Sequence, residues 1–226
     1  MGTAADAGIN WIATALSRPN FPTARAGGRN TAMGGYMNKA TCVILVVGIL
    51  VSSAFAAQPL KGLAADKPFP PIADKMALFG QFVGDWEANS VIYNPDGSKV
   101  TGKAEWHWGW ILNGTALQDV YILRSSAGKR ASRVIGIGTA LRFPEAGTDN
   151  WRVVYVGPMK GYLYTFNARR VGDEIVLDGK NEDDAPMRWI FSKITSRAFH
   201  WKAVVSPDKG RSWQVMQEMS VWRSRL

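Results

Sequence analysis

The feature that most constrains this chain is a change of hydrophobic period at Gly84. From Ile72 to Phe82 apolar residues recur at helical spacing, with Met76, Phe79 and Phe82 on one face, and beyond Gly84 the period drops to two and stays there. Successive side chains of a strand point to opposite faces, so this pattern demands half-buried strands. No helix-length segment interrupts it. Parallel pairs need long crossovers, so the order must be antiparallel with tight connections. Strands are expected near 85–93, 99–112, 115–124, 133–143, 151–156, 162–169, 174–179, 187–194, 198–205 and 213–223. Asn94-Pro95-Asp96-Gly97 has turn chemistry, and Asn113-Gly114 is the strongest two-residue hairpin signal. A sheet of this kind leaves raw edges unless it closes. The predicted fold is therefore all-β, an up-and-down antiparallel β-barrel of about ten strands, with a short helix before the first strand that plugs or flanks one end.

What precedes this domain reads as delivery. Met37-Asn38-Lys39, the apolar run Cys42 to Val51 and the end Ser52 to Ala57 have the three parts of a secretory signal, with cleavage expected after Ala56. The run is well short of the ~20 residues needed to span a bilayer, so no transmembrane span is expected once the signal is removed. The predicted organisation is a non-native upstream extension or disordered leader over 1–36, a signal peptide over 37–56, a linker and helix start over 57–76 and the barrel over 77–226. A periplasmic or secreted protein follows. Cys42 is the one cysteine and lies in the signal, so a mature chain would have no thiol for a disulfide, a nucleophile or a metal site. The formal net charge is +9, with the basic residues scattered along the strands, which is a solvated surface and not the clustered stripe of a nucleic-acid binder.

Nine of the ten tryptophans fall at or after Trp86. Trp106, Trp108 and Trp110 share one face of the second strand, while Glu105 and His107 share the other. A barrel of this strand number leaves interior room for a small ligand, and aromatic walls suit an apolar or planar one. The candidate ligand-binding residues are Trp106, Trp108, Trp110, Tyr155, Tyr164 and Trp201, the expected partner is a small hydrophobic or amphipathic molecule, and Arg188 or Arg152 could meet a carboxylate on it. His107 and His200 are the only histidines and fit no metal spacing. With the tryptophans inward both face solvent; with the parity reversed, Glu105, His107 and His200 would meet inside as acid and base. No nucleophile elbow, phosphate loop or dinucleotide fingerprint is present. No cofactor is expected. Two other readings stay open: an envelope enzyme using those three residues, and an interaction module using the outer face. Ser206-x-Asp208-x-Gly210-x-x-Trp213 has the spacing of an Asp-box hairpin, but it occurs once, whereas a propeller needs repeats.

Gly84-Asp85-Trp86 at the first strand, the ladder of short strands and Arg223 after the last resemble the lipocalin/calycin superfamily. Phe82 to Trp86, Gly109 to Gly114 and Ser206 to Trp213 are similar to an uncharacterised bacterial family of exported lipocalin-like proteins. The resemblance covers about 77–223 and implies that Trp86 lies across a closed barrel end with Arg223 packed over its ring, Gly84 completing the clamp. The lipocalin Thr-Asp-Tyr signature survives only as Thr148-Asp149-Asn150, and no helix follows the last strand. No lipocalin ligand and no enzyme activity carry over.

Overall fold

The computed structural model describes residues 63–126 and 132–225, so the expected signal peptide, the expected cleavage site and the expected upstream extension lie outside the described residues. A 3₁₀ turn over Pro70–Ile72 leads into helix α1 (Ala73–Gly80). Proline suits the first positions of a helical turn, and Asp74 in the first turn of α1 complements the positive end of the helix. Gly84 then takes φ +118°, a value open to glycine, and turns the chain into the barrel.

Among the described residues ten strands follow: β1 (Gly84–Tyr93), β2 (Lys99–Ile111), β3 (Ala116–Ser125), β4 (Val134–Pro144), β5 (Trp151–Gly157), β6 (Tyr162–Val171), β7 (Glu174–Lys180), β8 (Pro186–Ser192), β9 (Ala198–Val205) and β10 (Gln214–Arg223). Each pairs antiparallel with its neighbours in sequence, and β1 pairs with β10, so the sheet is a closed barrel in the expected order. Closure leaves no free edge. Among the described residues no helix is long and apolar enough to cross a membrane.

Asn113-Gly114 does not make the expected two-residue hairpin. Ile111 pairs with Ala116, leaving four residues in the connection, and Leu112, Asn113 and Gly114 all take positive φ. Gly114 has a packing reason for lacking a side chain: a Cβ there would sit 2.2 Å from the Lys67 carbonyl oxygen. The segment leading into α1 crosses this end of the barrel, and Phe69 N–H donates to Gly114 O at 3.0 Å.

Alternate residues point inward. Trp86 and Ala88 on β1, Ala104, Trp106 and Trp108 on β2, Trp189 and Phe191 on β8, and Phe199 and Trp201 on β9 are buried in one core. Met76, Phe79 and Phe82 seal one end; Phe82 stacks edge-on to Phe199 at 4.8 Å and Phe79 edge-on to Trp151 at 5.0 Å. Edge-to-face contacts of this kind add to the hydrophobic burial. The opposite end, where β5 meets β6 and β7 meets β8, is not covered by the helix. The functional groups therefore divide between a plugged end and a mouth.

Candidate functional site

The interior above the plug is a sequence of touching rings. Trp108 lies 5.2 Å from Trp106, Trp106 6.2 Å from Trp201, Trp201 5.4 Å from Trp189, Trp189 5.0 Å from Tyr155 and Tyr155 6.0 Å from Tyr164. Six rings thus run from the helix to the mouth. Strand alternation places them, and small residues make room for them: a Cβ on Gly138 would meet the Tyr155 hydroxyl at 2.3 Å, and one on Gly179 would meet the Phe166 ring at 2.5 Å.

Of the residues expected in a ligand wall, the structure brings together Trp106, Trp108 and Trp201, and joins Tyr155 and Tyr164 to them through Trp189. Trp110 stands apart. Its ring packs against Gly80 of α1 and its carbonyl accepts from Ala65, so it belongs to the seam of the plug. Trp189 and Tyr121 had no place among the sequence candidates, although period-two spacing on their own strands puts both inward.

The mouth is tyrosine-rich. The Tyr164 hydroxyl bonds Glu182 of the β7–β8 connection, and Tyr162 stacks on Tyr164 at 5.3 Å. Gln217 Nε2 donates to both Ser90 Oγ and Tyr121 Oη at 2.9 Å, bridging β10 to β1 and β3. Burial pushes the Tyr155 phenol up to about 12 and Tyr121 higher; burial, then bonding to Glu182, does the same for Tyr164. These hydroxyls are neutral near pH 7.

Below them lies a buried charge pair that sequence reasoning did not place. Arg142 on β4 is wholly inaccessible and forms an ion pair with Asp119 on β3, whose other oxygen accepts from Trp106 Nε1 at 2.8 Å. The guanidinium lies 4.2 Å over the Trp108 ring and 5.4 Å from that of Phe79. Burial lowers its pKa to about 9, which leaves it charged at pH 7. The arginines expected as ligand contacts lie outside: Arg188 bonds Asp178 at 2.6 Å and Arg152 bonds Glu145 at 2.7 Å, all on exposed or half-exposed surface.

Glu105, His107 and His200 do not meet in the interior. All three are exposed on the outer face, as they must be with Trp106, Trp108 and Trp201 inside; His107 Nδ1 bonds Asp85 at 2.7 Å with Glu105 3.9 Å from its Nε2. No acid-base set of these three is available within the barrel. Two surface clefts of about 540 and 410 Å³ flank the plugged end and share Arg170; of the interior rings, Trp151 alone lines one of them.

No family model and no curated protein matches this sequence. Solved structures do. The chain is similar to an S-type phycobiliprotein lyase, CPES, from Guillardia theta, with 9% identity over 66% of this chain and 92% of that one at a TM-score of 0.51. It is also similar to Rv2717c from M. tuberculosis, with 13% identity over 68% of this chain and 99% of that one, again at 0.51. The fold is lipocalin-like. At these identities the likeness speaks for architecture alone, and the chemistry of the interior follows from its own residues.

Proposed function

We propose that this protein is exported and holds a small hydrophobic or amphipathic molecule inside the barrel without transforming it. The observation that carries the reading is the unbroken line of rings from Trp108 to Tyr164, with the Arg142–Asp119 pair beside its deep end and hydroxyls at the mouth. Such a lining matches the recurring character of small-molecule sites, largely aromatic with a few fixed polar groups. Export rests on the sequence alone, from the signal-like stretch Met37 to Ala57.

Native mass spectrometry of the protein recovered from the cells that make it tests this directly. A bound small molecule, released when Trp189→Ala and Trp201→Ala are introduced together, is the expected result. An unliganded barrel that also fails to quench its tryptophan emission with any planar apolar probe would overturn the reading. N-terminal sequencing of the exported form should begin at Ala57.

A second reading uses the outer face. Val120, Val156 and Leu163 are exposed and lie in one register row with Thr139, so β3 to β6 present an uncharged strip to solvent. Concentration-dependent association lost in Leu163→Glu would support an interaction module. The enzymatic sense of one neighbour's name would need residues other than Glu105, His107 and His200.

A further inference from the structure

Among the described residues, the buried side-chain atoms inside the barrel that lack a hydrogen-bond partner are Trp108 Nε1, Trp201 Nε1, the guanidinium nitrogens of Arg142 and Asp119 Oδ2; Oδ2 is ion-paired with Arg142 Nη1, which leaves Nε, Nη2 and the two indole N–H groups with no counterpart, while Asn94 Oδ1 and Asn181 Nδ2 lie in connections between strands. Arg142 is wholly inaccessible, and both indoles are at least nine-tenths buried. Buried polar groups in native proteins are almost always satisfied, and each exception calls for an explanation. We propose that these donors await an acceptor carried by the ligand, and that the ligand is a planar carboxylate whose acidic group docks on the edge of Arg142 beside Trp108. This rests on the reading that a small molecule occupies the barrel, and adds the chemical class.

Carboxylate fits the arrangement better than an apolar or donor-bearing group. A guanidinium offers a fork of parallel N–H bonds that matches two carboxylate oxygens. Asp119 engages Nη1 and is itself tied to Trp106, so it takes one side of the fork and leaves Nε and Nη2 without an acceptor. The guanidinium plane is held by cation-π contact with Trp108, which fixes where that edge lies. A hydrocarbon ligand would leave every one of these donors unmet. A protonated ligand amine would add donors where donors are already in surplus, and a hydroxyl would accept from one N–H without matching the charge or the two-pronged fork.

The rest of the interior suits the body of such a molecule. Ala140 on β4 stands in register between Asp119 on β3 and Tyr155 on β5, so between the charge pair and the tyrosine wall the barrel lining is reduced to a methyl group. From there Trp106, Trp201 and Trp189 lead to Tyr155 and Tyr164 at the mouth. A flat ligand with its carboxylate at Arg142 would lie along these rings and keep its far end near the phenols.

The test compares 2-naphthoate with 2-methylnaphthalene, two probes of the same ring and nearly the same size, by calorimetric titration of the full barrel. The expected result is tighter binding of naphthoate by about tenfold or more, as for charge-assisted hydrogen bonds. In the double variant Arg142→Met with Asp119→Leu, which removes both buried charges together, the preference should vanish while 2-methylnaphthalene still binds. Trp108→Phe keeps the ring and deletes one donor, and should shrink the preference severalfold even if the double variant fails to fold. Equal affinity of the parent for both probes overturns the carboxylate assignment and leaves the ligand-binding reading standing, as does a preference untouched by Trp108→Phe and by the double variant. Binding of neither probe overturns both.

Discussion

The guanidinium carbon of Arg223 lies 4.1 Å above the ring of Trp86, and the same guanidinium donates to the carbonyls of Val83 at 2.6 Å and Gln81 at 3.0 Å. A residue from the last strand thus ties the turn after α1 to the first strand. Gly84 permits the approach, since a Cβ there would stand 2.5 Å from Arg223 Nη1. Trp86 completes the clamp from inside by donating its Nε1 to Phe82 O at 2.6 Å. Trp86→Ala should cost about 3 to 5 kcal/mol, as for other large buried aromatics. Arg223→Ala should cost about 1 to 3 kcal/mol through the lost charged hydrogen bonds. Denaturant titration of both variants checks these values, and Trp86→Ala matching the parent would remove the clamp.

Two inward and edge glycines should answer differently to the same substitution. Gly138→Ala drives a methyl into the Tyr155 ring and is expected to destabilise by about 1 to 3 kcal/mol through overpacking. Gly109→Ala meets nothing within 4 Å and has no positive φ, so it should leave stability unchanged or raise it slightly. Thermal melts of the pair distinguish a packed Tyr155 from one that swings freely.

Alkaline titration should reveal the buried tyrosines. The Tyr155 pKa is raised from 10.0 to about 12 by burial, with Tyr121 and Tyr164 raised further. Between pH 10 and 12 the unfolded chain has released phenolic protons that the folded barrel still holds. The native state binds more protons there, so stability falls as pH rises through this window and is unaffected by these groups below it. Tyrosinate absorbance should rise in step with unfolding, and free titration of all phenols near pH 10 in a folded barrel would contradict the burial.

The β9–β10 connection should be sensitive to acid. Asp208 accepts from Ser206 Oγ, Ser212 N–H and Ser212 Oγ at 2.6 to 2.9 Å, and Gly210 N–H donates to Ser206 Oγ at 2.6 Å. The hydrogen bonds from Ser212 hold the Asp208 carboxyl down at about 2, so its contribution is complete above the ordinary value of 3.8 and is lost as pH falls through 2. Carboxyl-carbon NMR titration gives the value directly. Asp208→Ala should speed amide exchange at Gly210 and Ser212 with the barrel intact.

The Asp-box spacing is thus a single ordered turn in this chain, as its lone occurrence implied. Trp213 beside it packs under Arg188, whose guanidinium lies 4.3 Å over the ring, so that arginine is held on the outside by two partners, away from the barrel interior. The placement of His107 and His200 was legible once the tryptophans were taken as inward, because odd and even residues of a strand cannot share a face. Asn113-Gly114 was legible as a turn but not as a four-residue one. Its length depends on the segment 67–69 crossing over Gly114, a contact between distant parts of the chain.

The period-two pattern and the short polar connections determined by themselves that the chain would form about ten antiparallel strands after a short helix, because no other arrangement buries alternating apolar residues without crossovers. Tertiary structure decided which residues make the site. On β4 the outward residues Ile137, Leu141 and Phe143 are more apolar than the inward Gly138, Ala140 and Arg142, so local hydrophobicity points that strand the wrong way. Its facing is set by register with β3 and β5, and small residues are needed inside to admit the Tyr155 ring. The same register carries Arg142 into the core against Asp119, where pairing across strands, and not composition along one of them, makes a buried charge tolerable.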